Sequence, residues 1–165
     1  MPVRFFQDSD LPILHAANEA SVPGVSWETE DQLAKWIALS VCFVATERDD
    51  KPLGFLTLIE PGTMAYPSAN LRWFEAYQTR ADKSVIYIDR IALLPDARGK
   101  RLGQALYDAA FEHFQDRDVM GCEVNIQPPN PGSHRFHQRL GFQQVGERSY
   151  EAGTKSVAYY VRPLK

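Results

Sequence analysis

Residues 95–106, "PDARGKRLGQAL", follow the apolar run "VIYIDRIALL" (85–94) and lead into a segment of helical periodicity. The apolar run is β-rich and long enough for a central strand covered on both faces. Beyond the junction, Leu102, Leu106, Ala109, Ala110 and His113 recur at helical spacing, with Asp108, Glu112 and Gln115 on the opposite side. A strand, a tight turn and a helix therefore meet where two glycines and three cations are concentrated. The first four N–H groups of a helix have no partner within it and coincide with the positive end of its dipole. Glycine lets an anion approach the backbone, and Arg98, Lys100 and Arg101 add charge around the same opening. The junction reads as a pyrophosphate cradle. It is neither GxxxxGK[ST] nor GxGxxG, so a nucleotide-hydrolase reading is disfavoured.

Working outward, "PVRFF" (2–6) reads as a first strand and "DSDLPILHAANEA" (8–20) as a helix with Asp8 or Ser9 at its N-cap. The Pro23–Gly24 loop breaks that helix, and "ETEDQLAKWIAL" (28–39) forms a second, amphipathic one. "VCFVATERDDKPLGFLTLIE" (41–60) reads as a hairpin turning at "RDDKP". Residues 61–83 are rich in turn formers and helix-like from Leu71 to Tyr77, an insert expected at the surface beside a site. "MGCEVNIQ" (120–127) is a further strand, "NPGSHRFHQRLG" (130–141) a short helix closed by Gly141, and 142–164 a terminal pair of strands around Gly153. The architecture is a single α/β domain over 1–165, a mixed sheet with helices on its faces.

Composition narrows the function. With 165 residues the chain holds one ordinary core. The formal charge of −3 offers no general field for nucleic acid, so any anion site is local. Cys42 and Cys122 lie in apolar strand-like runs and read as small buried hydrophobes. No signal, transit or membrane-spanning pattern is present, and a cytoplasmic location is expected. His134 and His137 lack a third ligand of evident spacing, so no metal is expected.

"RGKRLG" (98–103) resembles the [RQ]xxGx[GA] signature of the GNAT superfamily of acyl-CoA-dependent N-acyltransferases, with Arg98 and Gly103 in register and Arg101 where the family has its middle glycine. "NPGSHRFHQRLGF" (130–142) is similar to the family's downstream NxxAxxxYxxxGF, with Asn130, Ser133, His137, Gly141 and Phe142 at the matching places. The resemblance implies the GNAT-like fold, a central mostly antiparallel sheet of about seven strands flanked by helices. It also implies acetyl-CoA as cofactor and transfer of acetyl to a primary amine of a small molecule or a peptide. A noncatalytic acyl-CoA-binding module is the alternative, motivated by His137 in the tyrosine's place and by Arg101.

Carried onto this chain, the resemblance implies that the backbone of Ile91, Ala92 and Leu93 faces pantetheine and thioester. Residues Arg98, Gly99, Lys100, Arg101, Leu102, Gly103 and Gln104 would hold the pyrophosphate, and Asn130 and Ser133 would sit beside the pantetheine. His137 stands where many members have the tyrosine that protonates the leaving thiolate, and imidazole can serve there. An alkyl ammonium of pKa about 10.4 must lose a proton before attack. Asp89, Glu60 and Glu123 are the carboxylates near the expected site, and Asp89 is the expected base because it shares the strand that carries the thioester. Trp27, Glu60 and Trp73 are expected on the acceptor side. The exposed terminal strand offers an edge for a homodimer.

Overall fold

The computed structural model describes residues 2–165. One sheet runs in the order β1-β2-β3-β4-β5-β7-β6, built from β1 (Val3–Phe5), β2 (Val41–Thr46), β3 (Pro52–Ile59), β4 (Val85–Leu93), β5 (Val119–Gln127), β6 (Gln143–Tyr150) and β7 (Lys155–Pro163). All neighbours pair antiparallel except β4 with β5, which are parallel. Helices α1 (Leu11–Ala20), α2 (Glu30–Ala38) and α3 (Ala69–Ala81) cover one face. Helix α4 (Leu102–His113) packs on the other, and α5 (Pro131–Arg139) lies beside it.

Local chemistry explains most boundaries. Helix α2 opens with a reciprocal cap: Thr29 Oγ1 accepts from the Gln32 amide at 3.1 Å, and Gln32 Oε1 accepts from the Thr29 amide at 3.3 Å. Ser68 Oγ caps α3 by accepting from the Leu71 amide at 3.1 Å. The first helix departs from expectation, because Asp8–Asp10 form a separate 3-10 turn before α1. Asp10 is buried there, bonded by Arg4 Nη1 at 2.8 Å and by the Gln7 amide at 2.8 Å, so it ties β1 to the turn.

Residues 61–83 are more than a surface insert. Leu71 and Phe74 of α3 are fully buried against β4, and truncating a phenylalanine so placed costs about 3–5 kcal/mol. Beside them Trp73 stacks on Tyr159 with ring centroids 4.0 Å apart. Trp73 lies flat on Gly146 of β6, where an added Cβ would stand 2.5 Å from the indole, so only glycine permits that approach.

Two irregularities in β4 create the site. Its parallel pairing with β5 covers only Val85–Tyr87 against Val119–Gly121; beyond this β4 continues along β3 and β5 along β7, and the two strands part. In addition Thr57 pairs with Arg90 but Leu58 with Ile88, leaving Asp89 as an extra, bulged residue. The bulge shifts the alternation of side chains. Ile88 joins the core on the α4 face, whereas Asp89 and Arg90 both reach Tyr66, on the opposite face.

Candidate active site

Where β4 and β5 part, a cleft of about 1060 Å³ opens through the middle of the sheet. Backbone groups on facing edges of two splayed strands have no ladder partner there and are free to bind an inserted molecule. Asp89, Ile91, Arg98, Asn130, Ser133 and His137 line this cleft, as does Trp27, which is 59% exposed.

The cradle residues continue from Arg98 into the first turn of α4. Gly99 has φ +78° with no atom within 4 Å of where a Cβ would stand, leaving the turn open to a ligand. Arg101 takes φ +61°, the left-handed conformation glycine favours, so the backbone shape survives the departure from the family pattern. Among the described residues no side chain caps α4 or α1, whereas Thr29, Ser68 and Asn130 cap α2, α3 and α5. The first amides of α4 are thus left for a ligand or water. Gly99, Lys100, Arg101 and Gln104 are exposed, Gly103 is half-buried, and the Leu102 side chain is buried in the core, so its backbone alone can serve the cradle. Ala92 also turns its side chain inward, and Leu93 packs against the α4 core.

On α5, Asn130 Oδ1 accepts from the Ser133 amide at 3.4 Å and so caps the helix. His137 is buried, and its Nδ1 lies 2.7 Å from the Ser133 carbonyl, which requires a proton on that nitrogen. Nε2 then carries the lone pair and accepts from the Tyr107 hydroxyl at 2.6 Å. Burial pushes the imidazole below its ordinary pKa, reinforcing the neutral form. In this state His137 has no donor free for the cleft. The hydroxyl beside it belongs to Tyr107 of α4, which also lines the cleft and which the helix periodicity alone does not distinguish from a core aromatic. His134 is held by the Tyr160 hydroxyl at 2.7 Å and the Asn125 carbonyl at 2.9 Å. Among the described residues no three His, Cys, Asp or Glu side chains come together to hold a metal.

The carboxylates divide into three situations. Asp89 lies 2.8 Å from the Tyr66 hydroxyl through each oxygen and 3.0 Å from Arg90 Nε. Burial outweighs the pull of Arg90 and Tyr66 and leaves its pKa raised above the ordinary value. Both oxygens are occupied, and a proton placed on Asp89 would weaken its pairing with the buried Arg90. Glu123 of β5 faces the cleft with one strong donor, Tyr87 Oη at 2.8 Å. Burial, with the nearby Asp89 charge, pushes its carboxyl up to about 8. Glu60 stands apart: exposed at the end of β3, it pairs with Arg117 at 2.9 Å and does not line the cleft. Trp73 is likewise absent from the cleft wall, since its stacking on Tyr159 and Gly146 commits it to packing α3 on the sheet. The aromatics on the cleft wall are Trp27, Trp36, Tyr66, Tyr87, Tyr107 and Tyr150.

Comparison with known proteins agrees with this geometry. Residues 12–142 match the Acetyltransferase (GNAT) family. An N-acetyltransferase of Streptomyces griseus is 37% identical over 79 residues, 48% of this chain and 38% of that one. A phosphinothricin N-acetyltransferase of Streptomyces coelicolor is 34% identical over 94 residues, 54% of this chain and 51% of that one. The chain thus spans about half, or less, of the length of these curated relatives. In fold it resembles the crystal structure of a phosphinothricin acetyltransferase from Sinorhizobium meliloti in complex with AcCoA, with TM-score 0.69 at 19% identity over 98% of this chain and 87% of that one. The split between β4 and β5, the uncapped start of α4 and the family match over 131 of 165 residues (12 through 142) lead to one conclusion: the chain belongs to the acetyltransferase (GNAT) family.

Proposed function

We propose that this chain is an acetyl-CoA-dependent N-acetyltransferase acting on a primary amine. The observation that carries the reading is the continuity of the cleft: it runs from Arg98, at the uncapped start of α4, through the β4/β5 split to Glu123. When bound, acetyl-CoA would supply an activated acetyl thioester. Arg98, Lys100 and the amides of residues 101–104 would hold its pyrophosphate, with Gly99 keeping the turn open. Ile91, through its backbone, with Asn130 and Ser133, would line the pantetheine.

Glu123 is the general base in this reading, in place of Asp89. A base must be unsaturated and poised near the working pH, and Glu123 has one strong donor and a pKa of about 8, whereas Asp89 is bound on both oxygens. Its carboxylate takes the proton from the incoming ammonium. Backbone donors on the free edge of β4 around Ile91 face the acetyl carbonyl. Tyr107 Oη carries the hydroxyl proton on the α4 side of the cleft. Turned away from His137 Nε2, that proton is available to a leaving sulfur, and His137 positions the phenol.

Isothermal titration with acetyl-CoA, comparing wild type with Gln104→Glu, tests the reading. Gln104 is exposed in the first turn of α4, where a carboxylate stabilises the helix yet repels phosphate. Wild-type binding in the micromolar range, weakened about tenfold by the substitution with an unchanged or higher melting temperature, is expected. Absence of wild-type binding would overturn the reading. Binding with no thiol release to any amine would leave a noncatalytic acyl-CoA module.

A further inference from the structure

The β4/β5 split has a closed end. The two strands pair as far as Tyr87 opposite Gly121 and part beyond it, so the cleft narrows from the cradle, past the end of β4, towards Tyr87. A cofactor with its pyrophosphate at residues 98–104 and its pantetheine between the strands points its acyl end at this apex. That placement rests on the transferase reading above.

The two faces of the apex differ. On the face covered by α3 the side chains are polar: Tyr87 donates to Glu123 at 2.8 Å, and Tyr66 donates to Asp89 at 2.8 Å. The space beside Gly121 is filled there, since the Phe74 ring lies 2.5 Å from where a Cβ would stand. On the face covered by α4 the side chains are apolar. Ile88 and Cys122 follow directly on the last pair, line the cleft and are each 3% exposed. Val124 and Tyr107 close round them, and all four belong to the packed core under α4. The Tyr107 ring is fixed by its buried hydrogen bond with His137 at 2.6 Å. Cys122 carries the smallest side chain of the four. Burial pushes its thiol well above the ordinary pKa, so it stays neutral and does not compete for an acyl group.

We infer that the acyl group of the cofactor sits on this apolar face of the apex, and that Ile88 and Cys122 set its length, admitting acetyl and disfavouring longer chains. Behind these two side chains lies close-packed core. Each further methylene has to displace core atoms or turn back among the carboxylates, and either course costs affinity. The amine then arrives from the opposite face, where Glu123 and Asp89 lie.

The test is calorimetric binding of free coenzyme A and of its acetyl, propionyl and butyryl thioesters, which needs no acceptor. For wild type, acetyl-CoA is expected to bind about tenfold more tightly than propionyl-CoA, with butyryl-CoA weaker again. Cys122→Ala and Ile88→Val each remove a single heavy atom from the apex and should bring propionyl-CoA to within about threefold of acetyl-CoA. Cys42→Ala makes the same deletion in a buried cysteine outside the cleft, packed with α1 and α2, and should keep the wild-type ratio. A general loss of stability would weaken all the thioesters alike, so the ratio isolates the size limit. Equal wild-type affinity for the three thioesters, or a ratio unchanged in both apex variants, overturns the inference and leaves the transferase reading standing. Failure of free coenzyme A and all three thioesters to bind wild type overturns both.

Discussion

At the α4 end of the cleft, the cradle we propose consists of consecutive residues, Arg98 through Gln104, and what it would offer a ligand is chiefly the uncapped backbone of the α4 start. At the β5 end, Glu28, Asn70, Asp89, Glu123 and Arg148 come from five separate segments and meet only through their side chains on the cleft wall, with Arg90 holding Asp89 and Glu28. A backbone cradle tolerates changed side chains as long as the chain path is kept, which is why Arg101 can stand where the family has glycine. A charge cluster tolerates little, because removing one member leaves a buried partner uncompensated. Substitutions at the first end should shift cofactor affinity by modest factors, and substitutions at the second should remove turnover.

The sharpest test of that contrast is Glu123→Gln, expected to lower kcat/KM by about 10²–10³-fold with little change in acetyl-CoA affinity. In wild type the rate should rise with pH as the carboxyl ionises near 8, and the glutamine variant should lose that limb. Stability runs the other way. The folded state holds the proton more tightly than the unfolded chain, whose ordinary value is 4.5, so stability falls as pH rises from about 4.5 through about 8. Melting temperatures of the glutamine variant should be flatter across that window.

Next in size, Tyr107→Phe should reduce kcat about tenfold and destabilise the fold by about 1–3 kcal/mol, because His137 Nε2 is left buried without a donor. Denaturant titration and steady-state kinetics read both effects. If kcat is unchanged while stability falls, Tyr107 serves only to satisfy His137.

At the cradle, Arg101→Gly should relieve backbone strain and raise stability by about 0.5–1 kcal/mol, a melting shift of about 1–4 °C, with acetyl-CoA affinity changing less than about threefold. A large affinity loss would mean that the arginine side chain itself holds phosphate and that the cradle is not a backbone device. Smallest of all, Glu60→Gln breaks only an exposed pair with Arg117 and should change stability by less than about 1 kcal/mol and turnover not measurably. A clear kinetic effect would extend the acceptor side beyond the cleft described.

The same contrast explains what could be read from the chain. The glycine turn, the 130–142 element and the strand–helix order are short-range patterns whose meaning lies within about a dozen residues of each other. Trp73 and Glu60 were expected at the site from their place in neighbouring segments, but proximity in sequence does not say which face of a helix or strand end turns inward. Gly146, 73 residues away from Trp73, decides that this indole packs flat on the sheet. His137 was visible as an unusual residue in a motif. Its partner Tyr107, 30 positions away on α4, was not, since a tyrosine at helical spacing looks like any core aromatic.

By itself the sequence determined the family, the order of the elements and the place of the glycine turn proposed as an anion cradle, because helix termini, glycine backbone freedom and hydrophobic periodicity are local properties of the chain. Only the tertiary structure distinguishes the environments of the candidate carboxylates, on which the proposal of Glu123 as base rests. A one-residue bulge in β4 brings Asp89 and Arg90 to the same face and binds them to Tyr66, while the parting of β4 from β5 leaves Glu123 half-buried, with Tyr87 as its hydrogen-bond partner, on the cleft wall. Proton affinity is set by desolvation and neighbouring charge, and both depend on contacts between residues far apart in the chain.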